Sequence, residues 1–294
     1  MTSFRWRTRT EDKGFGLSAA VSAYLKISND EAVGLIEFGS VYVRGRVERN
    51  PSKVLSGEEE ISVNFPPYGT LKFYEIDPAR IIFRDSFFLA YDKEAGTPSQ
   101  QVPHDAYNNV FAALLRWLTG KKTSEPYAAL HHRLDRETSG VLLFGLDKRI
   151  NESLGRAFRE RRVKKEYLAW AEGSPRHDSW TSDSDIGKAG GKYTAVGKGE
   201  GKEAQTVFRV LRRAENRVLI LASPLTGRTH QIRIHLAEAG HPVLGDRAYG
   251  AKPDRRLYLH AWRLTLKHPV SKKLVSFEAP IPAGMKSSEQ AENG

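Results

Sequence analysis

Apolar residues recur at intervals of three and four along parts of this chain, the spacing that buries one side of an α-helix. Ser28 suits the N-cap of one such stretch, because its hydroxyl can accept a hydrogen bond from the first helical turn. Gly39 suits the end of the same stretch, because glycine readily adopts the left-handed conformation found there. The pattern predicts helices over residues 18–25, 28–38, 105–118 and 147–162.

Other apolar stretches are short and lie between turn residues, a pattern typical of β-strands. These stretches cover residues 41–43, 61–63, 81–91, 141–144, 165–170 and 259–261. Polar and apolar residues also alternate over 231–235, between two glycine turns. The glycine- and lysine-rich stretch at 185–203 predicts a mobile loop. The mixture of helices and strands indicates an α+β protein.

The composition is that of a globular intracellular protein. Of the 294 residues, 39% are hydrophobic and 28% are charged, which differs from the composition of disordered chains. The absence of cysteine excludes disulfides, thiolate metal sites and cysteine nucleophiles. No apolar run approaches the roughly 20 residues of a membrane helix, and Met1–Thr10 lacks the apolar core of a secretory signal. We therefore expect a soluble, cytoplasmic protein that has no membrane partner and is monomeric.

The positive charge is concentrated in one part of the chain. The formal net charge is +11, yet residues 1–66 carry nine Lys or Arg and nine Asp or Glu. Residues 67–294 therefore hold the remaining 37 basic and 26 acidic side chains. Such an excess favours a polyanionic partner, although an ordinary basic protein would have the same composition.

The segment Leu130–Gly145 holds the strongest chemical signal. Asp135 lies between Arg133 and Arg136, close to two histidines and just before an apolar run. A carboxylate flanked by guanidiniums tends to remain charged, and a following strand would hold it rigidly. The same pattern is also compatible with a surface turn that carries an ion pair.

A metal-dependent hydrolase is a second interpretation of the histidines, five of which lie in these motifs: His131, His132, His230, His235 and His241. A hydrolytic metal centre needs two or three such side chains and a carboxylate around one ion. The sequence has no pair of histidines at helical metal-binding spacing, and the interval from His230 to His235 suits neither a helix face nor a strand face. The pattern therefore disfavours metal chemistry.

The N-terminal residues resemble the small RNA-binding domain of the S-four type, first named for a ribosomal small-subunit protein. The resemblance rests on residues 28–63, which read SNDEAVGLIEFGSVYVRGRVERNPSKVLSGEEEISV. It implies a small α/β RNA-binding module at 15–66, followed by a linker at 67–79. It also implies that a set of basic residues faces RNA: Arg44, Arg46, Arg49 and Lys53. The acidic second helix departs from the family, whose members are often basic there.

Residues 80–282 resemble the RluA-type family of RNA pseudouridine synthases. The matching motifs are HRLDRETSG at 132–140, KEYLA at 165–169, GKEAQTVFRVL at 201–211, GRTHQIRIHL with GHPVLGD at 227–246, and LHA at 259–261. The resemblance implies a catalytic domain built on a mixed, mainly antiparallel sheet, with a disordered tail at 283–294. It implies isomerisation of uridine to pseudouridine in structured RNA without a cofactor. The sequence KEAG at 93–96 departs from the usual Lys-Pro-Ala-Gly.

The same resemblance assigns roles to individual residues. Asp135 matches the catalytic aspartate, and Arg233 matches the arginine that pairs with it. Tyr167 matches the tyrosine that contacts the target base and takes part in proton removal, and Leu259 matches an apolar pocket residue. Arg133 matches the arginine that enters the RNA stack when the uridine flips out. Three further residues are expected to contact RNA: Lys164, Lys165 and Arg228.

Three questions remain open at this level. The upstream module favours large-subunit ribosomal RNA as the target, with transfer RNA as the alternative. A non-catalytic RNA-binding protein that retains the fold is another alternative, which the joint presence of Asp135, Tyr167 and Arg233 disfavours. The sequence leaves open whether Asp135 attacks the sugar, attacks the base or abstracts a sugar proton.

Overall fold

The computed structural model describes residues 3–66, 73–103, 106–120 and 126–286. Residues 67–72 of the expected linker at 67–79 and residues 287–294 of the expected tail at 283–294 lie outside the described residues. Within them, no helix is long and apolar enough to cross a membrane. The chain divides into two compact units. The first comprises the described parts of Met1–Ile76 and Pro98–Pro126, and the second those of Asp77–Thr97 and Tyr127–Gly294.

The first unit combines a four-stranded antiparallel sheet with three helices. Its strands run in the order β1-β4-β2-β3. They are β1 (Ser3–Arg7), β2 (Val41–Val43), β3 (Arg46–Val47) and β4 (Glu60–Asn64). The helices are α1 (Leu17–Leu25), α2 (Asn29–Phe38) and α3 (Val110–Thr119). Leucine, isoleucine and valine side chains of α1, α2, β2 and β4 form the core of this unit.

Local sequence signals set the ends of the helices in this unit. The Ser28 hydroxyl accepts a hydrogen bond from the Glu31 amide at 3.1 Å, and Gly39 ends α2 in the left-handed conformation. The sequence predicted both. Helix α3 begins at Val110 rather than at residue 105, because Asn109 caps it through the Ala112 amide. Strand β1 has no counterpart among the predicted elements.

A ten-stranded mixed sheet forms the body of the second unit. Its main path is β10-β13-β14-β9-β15-β8-β6-β5, with β16 beside β15 and β7 beside β8. The strands are β5 (Ile81–Arg84), β6 (Phe88–Lys93), β7 (Ala129–Leu130), β8 (Ser139–Gly145), β9 (Lys164–Glu172), β10 (Ser179–Ser182), β13 (Thr206–Ala214), β14 (Arg217–Pro224), β15 (Leu259–Lys267) and β16 (Leu274–Glu278). The neighbouring strands of this sheet are antiparallel except β8 and β15. The predicted α+β class with a mixed, mainly antiparallel sheet is confirmed.

Two stretches of the second unit have a structure that differs from the one their sequence pattern suggests. The glycine- and lysine-rich stretch contains an antiparallel hairpin of β11 (Asp185–Ala189) and β12 (Lys192–Val196). The alternating stretch at 231–235 belongs to helix α5 (Gln231–Glu238). Residues 231–236 are all buried, so this helix has no polar face that would reveal its period. The remaining helix, α4 (Asn151–Arg159), follows a 3-10 turn that Asp147 caps.

Gly140 allows the parallel strands β8 and β15 to approach each other closely. Its φ angle is +114°, and a Cβ atom at this position would overlap the backbone carbonyl of Ala261. Any L-residue here would therefore be strained and would also push β15 away. The end of the HRLDRETSG motif is thus fixed by a backbone contact that requires glycine.

We predict that Gly140→Ala lowers the free energy of unfolding by about 3 kcal/mol or more, because overlap with rigid backbone adds to the strain of a positive φ. The matched control is Gly199→Ala, where φ is +86° but no atom lies within 4 Å of the added methyl group. This control should lose only about 1 kcal/mol. Urea unfolding followed by circular dichroism measures both values, and equal losses would refute the clash.

Candidate active site

The second unit brings Asp135, Tyr167 and Arg233 together. Asp135 lies in the turn before β8, Tyr167 on β9, and Arg233 on α5. The Arg233 Nη1 atom is 3.7 Å from Asp135 Oδ2. Burial raises the pKa of the Tyr167 hydroxyl, and the negative charge of Asp135 raises it further. Tyr167 also packs against the apolar cluster that contains Leu259, which is 3% exposed.

Arg233 pairs most closely with a carboxylate that the sequence reasoning missed, Asp246. Its Nε and Nη2 atoms donate to the two carboxylate oxygens of Asp246 at 2.6 and 2.7 Å. The side chain of Asp246 is 1% exposed and that of Arg233 is 9% exposed. A bidentate pair of this kind fixes the plane of the guanidinium. The expected pairing of Arg233 with Asp135 is therefore a second, longer contact made by Nη1.

His230 is the other side chain beside Asp135. It precedes α5 with a φ of +58°, and its Nε2 atom is 3.9 Å from Asp135 Oδ2. Its Nδ1 atom lies 2.8 Å from the hydroxyl of Tyr249. The ring of Tyr249 also packs against Arg233, whose Cζ is 5.0 Å from the ring centroid. His230 thus contacts Asp135, and Tyr249, which is bonded to His230, contacts Arg233.

A buried lysine supports the turn that carries Asp135. The Lys93 ammonium donates to the carbonyl oxygens of Glu94, Thr97 and Arg136 at 2.8–2.9 Å. Burial lowers the pKa of Lys93 to about 7, while the negative charges of Glu137 and Asp135 oppose this shift. The KEAG turn at 93–96, which departs from the expected Lys-Pro-Ala-Gly, is therefore tied to the Asp135 loop through its lysine.

Gln231 and Gly245 shape the two loops next to the site. The Gln231 Oε1 atom accepts hydrogen bonds from the Thr226 hydroxyl at 2.6 Å and the Arg228 amide at 3.0 Å. Gln231 therefore braces the glycine turn that precedes α5. Gly245 has a φ of +77°, and a Cβ atom there would overlap the carbonyl of Arg256. A close backbone contact therefore positions the neighbouring residue, Asp246.

The residues expected to contact RNA are found in both units. Arg133 is exposed, and its charge contributes to lowering the pKa of His230, so it lies near the site. Lys164 is exposed beside Glu166, and the Arg228 Nε atom donates to the Glu203 carbonyl at 2.8 Å. Lys165 donates to the Thr226 carbonyl at 3.0 Å, and burial lowers its pKa to about 8.

The first unit holds the other four expected RNA contacts. Arg44 and Arg46 are exposed, and Lys53 forms an ion pair with Glu48 at 2.9 Å. Arg44 has a φ of +50° in the turn between β2 and β3, and its guanidinium is 3.9 Å from Glu59. Arg49 is also exposed, but its guanidinium packs on an aromatic ring of its own unit. Its guanidinium carbon lies 3.2 Å from the centroid of the Tyr107 ring, so this arginine is engaged inside its own unit.

The histidines of the motifs are mainly bonded to backbone and neighbouring side chains. His132 Nε2 accepts a hydrogen bond from the Leu143 amide at 2.9 Å, and its ring stacks on Phe158. His235 bonds Thr206 and Ser184, and His241 bonds the Glu172 carbonyl. Within the described ranges, no group of three or more His, Asp or Glu side chains is arranged to hold a metal ion.

Burial lowers the pKa of His132 to about 3, so the folded chain keeps this ring neutral while the unfolded chain binds a proton near pH 6.5. Stability should therefore be complete above pH 6.5 and fall as the pH drops from 6.5 toward 3, by up to about 1.4 kcal/mol per pH unit. Urea unfolding between pH 7 and pH 5 measures this slope. His132→Gln, which lacks the titrating ring, should unfold with a flatter pH dependence, and an unchanged slope would contradict the assignment.

We also predict that Asp246→Asn lowers the free energy of unfolding by about 3 kcal/mol, because it leaves the buried Arg233 without its main counter-charge. The control is Asp178→Asn, which breaks the pair with Arg213, in which Asp178 is 84% exposed. Exposed pairs contribute less than about 1 kcal/mol. Urea unfolding at neutral pH compares the two variants, and similar small losses would show that Arg233 does not depend on Asp246.

The chain is similar in sequence to known RNA pseudouridine synthases. A family model described as RNA pseudouridylate synthase matches residues 88–238, which include Asp135, Tyr167 and Arg233. A ribosomal large subunit pseudouridine synthase D of Nitrosomonas europaea is 35% identical over 74% of this chain and 66% of its own length. An uncharacterized RNA pseudouridine synthase of Aquifex aeolicus is 33% identical over 90% of this chain and 89% of its own length.

The fold is also similar to that of a solved structure from the same family. The solved structure of human RNA pseudouridylate synthase domain containing 1 superposes with a TM-score of 0.57 at 26% identity. The match covers 75% of this chain and 96% of the human chain. Family motifs, relatives and fold all agree, and the chain belongs to the RNA pseudouridylate synthase family.

Proposed function

We propose that this protein isomerises specific uridines to pseudouridine in large-subunit ribosomal RNA. The proposal rests on the position of Asp135 in a chain that belongs to this family. The carboxylate of Asp135 is partly exposed and lies 3.7 Å from the fixed guanidinium of Arg233. Relatives named as large-subunit ribosomal enzymes support ribosomal RNA rather than transfer RNA as the target. The chain spans 66% of the length of the Nitrosomonas relative. A ribosomal target is consistent with a cytoplasmic location.

The reaction breaks the bond between C1′ of the ribose and N1 of uracil, rotates the base and joins C1′ to C5. Such a reaction needs a charged carboxylate close to the sugar, as nucleophile or as base. The side chain of Asp135 is 19% exposed, so a flipped nucleotide can reach it. Because Asp246 occupies Nε and Nη2 of Arg233, the remaining nitrogen supplies positive charge to Asp135 without a short hydrogen bond.

Tyr167 and Leu259 are suited to hold the detached uracil. Tyr167 offers an aromatic surface, and stacking on such a surface contributes roughly 1–3 kcal/mol per base in nucleic-acid complexes. Since its pKa is raised, its hydroxyl stays protonated at neutral pH and can donate a hydrogen bond. The buried apolar cluster around Leu259 excludes water, which would otherwise capture the opened sugar.

Basic residues around the site suit a structured RNA. Extruding a base costs a few kcal/mol, and an arginine that fills the vacancy offsets part of this cost. The exposed Arg133 is close enough to His230 to influence its titration, so we assign it this role. Lys164 and Arg228 would contact phosphates near the site, and Arg44 and Arg46 of the first unit would provide a second RNA contact.

We expect Asp135→Asn to abolish pseudouridine formation, because an amide cannot act as the nucleophile or base. Purified protein is incubated with unmodified large-subunit ribosomal RNA, and pseudouridine is mapped by chemical labelling and sequencing. RNA binding should be retained, since Asp135 carries negative charge and contributes no attraction for phosphate. Asp178→Asn, at an exposed position, serves as the active control.

Two results would overturn parts of this proposal. Pseudouridine formation by Asp135→Asn would refute the role of Asp135. Modification of transfer RNA by the wild-type protein, with no ribosomal RNA site modified, would refute the target. A chelator added to the reaction should leave the rate unchanged if the carboxylate alone performs the chemistry.

A further inference from the structure

Tyr249 contacts both groups that flank the carboxylate of Asp135. These groups are Arg233, whose Nη1 atom is 3.7 Å from Asp135 Oδ2, and His230, whose Nε2 atom is 3.9 Å from the same oxygen. The ring centroid of Tyr249 is 5.0 Å from the Cζ atom of Arg233. The hydroxyl oxygen of Tyr249 is 2.8 Å from the Nδ1 atom of His230. One half-buried tyrosine thus supports two neighbours of the proposed reactive group.

A single turn of the chain presents both Tyr249 and Asp246 to Arg233. Residues Arg247–Tyr249 form a 3-10 turn, and the Tyr249 amide donates to the Asp246 carbonyl at 3.1 Å. Because such a helix has three residues per turn, side chains three positions apart lie on the same side. Gly245 fixes the start of this turn, since a Cβ atom there would overlap the backbone of another segment. The carboxylate and the aromatic ring therefore reach the same guanidinium from one short segment.

The two contacts restrict different movements of the Arg233 guanidinium. Asp246 accepts from Nε and Nη2 at 2.6 and 2.7 Å, which holds one edge of the planar group. The third nitrogen, Nη1, lies at the corner opposite this edge, and it is the nitrogen nearest Asp135. A bidentate contact still allows the plane to tilt about the line that joins the two groups, and an aromatic ring packed on the guanidinium opposes this tilt. The ring of Tyr249 supplies that restraint.

The hydroxyl end of Tyr249 holds the ring of His230. Its oxygen lies within hydrogen-bond distance of His230 Nδ1 and is 3.1 Å from the backbone carbonyl oxygen of Tyr193 on β12. The rings of Tyr249 and Tyr193 both meet the His230 ring edge to face, with centroids 5.6 and 6.2 Å away. These contacts fix the imidazole whether Nδ1 or the hydroxyl is the donor. The place of Nε2 beside Asp135 therefore depends on Tyr249.

We propose that Tyr249 is a positioning residue for the isomerisation, whose ring orients Arg233 and whose hydroxyl orients His230 around Asp135. This inference rests on the proposed function. Tyr249 takes no part in bond breaking and acts through the two side chains that it holds. Its ring and its hydroxyl should therefore make separable contributions to the rate of isomerisation, and neither should contribute to RNA affinity.

The test compares Tyr249→Phe, which removes only the hydroxyl, with Tyr249→Leu, which removes the ring as well. Each protein is mixed in excess with unmodified large-subunit ribosomal RNA, and the single-turnover rate of pseudouridine formation is measured. The phenylalanine variant should be slower by about tenfold, which corresponds to one hydrogen bond. The leucine variant should be slower by about 100-fold, because a small displacement of groups beside the reacting atoms is costly. The dissociation constant for the RNA should stay unchanged in both.

Tyr258 provides the matched control, because it is also half-buried and its hydroxyl donates to an exposed carboxylate, that of Asp254, at 3.4 Å. Tyr258→Phe and Tyr258→Leu should keep the wild-type rate. A double-mutant cycle tests the route through His230, with His230→Asn as the second change, because asparagine tolerates the left-handed backbone at that position. In this background Tyr249→Phe should cause no further loss. Losses that multiply independently would refute action through His230.

The hold of Tyr249 on Arg233 can be measured without RNA. Exchange of the Arg233 Nε hydrogen with water is followed by NMR of protein labelled with nitrogen-15 arginine, and the signal is assigned with Arg233→Lys. Exchange should be about tenfold faster in Tyr249→Leu, because the ring no longer opposes opening of the pair with Asp246. It should be unchanged in Tyr249→Phe, which keeps the ring. Tyr249→Gln repeats both measurements if the leucine variant proves unstable in thermal unfolding.

The outcomes separate this inference from the proposed function. A wild-type rate in Tyr249→Leu, or a defect confined to RNA affinity, would refute the positioning role. Unchanged exchange of the Arg233 hydrogen in Tyr249→Leu would refute the contribution of the ring. Wild-type protein that is inactive on every RNA tested would instead refute the proposed function, and the exchange measurement would still decide whether Tyr249 holds Arg233.

Discussion

The site depends on one buried guanidinium that lies between two carboxylates of unequal exposure. Arg233 is held by the bidentate contact with Asp246, whose side chain is 1% exposed, and meets the 19% exposed Asp135 at 3.7 Å. The buried Asp246 fixes the orientation of the Arg233 guanidinium. The positive charge of this guanidinium therefore also acts on the partly exposed Asp135, which makes no short hydrogen bond to it. Removing the buried carboxylate would leave an uncompensated charge in the core, which is among the most costly changes a fold can suffer.

Close backbone contacts hold these two carboxylates in position. Gly140, five residues after Asp135, approaches the carbonyl of Ala261 on β15, and Gly245, just before Asp246, approaches the carbonyl of Arg256. Both glycines have positive φ angles, and a side chain at either position would overlap backbone. The turns that carry the carboxylates are therefore both packed against the same stretch of chain, which leads into and forms β15. This arrangement explains why a reactive group can lie on a turn and still be rigid.

Much of the fold was predictable wherever the signal is local. Ser28 and Gly39 bound α2 as predicted, and the short apolar runs became β2, β4 and β8. Helix α5 was missed because its first six residues are all buried, so alternation replaced the helical period. The family motifs predicted that Asp135, Tyr167 and Arg233 belong together. They did not reveal the contact between Arg233 and Asp246, since it depends on a turn that tertiary packing sets.

The role proposed for Asp135, beside the fixed guanidinium of Arg233, is the isomerisation of uridine in ribosomal RNA. The most direct measurement is a pseudouridine map of total RNA from cells that carry the wild-type gene, the Asp135→Asn gene or no gene. One or more large-subunit ribosomal uridines should be converted only in the presence of the wild-type gene. A map in which Asp135→Asn restores every site, or in which no site depends on the gene, would contradict this role.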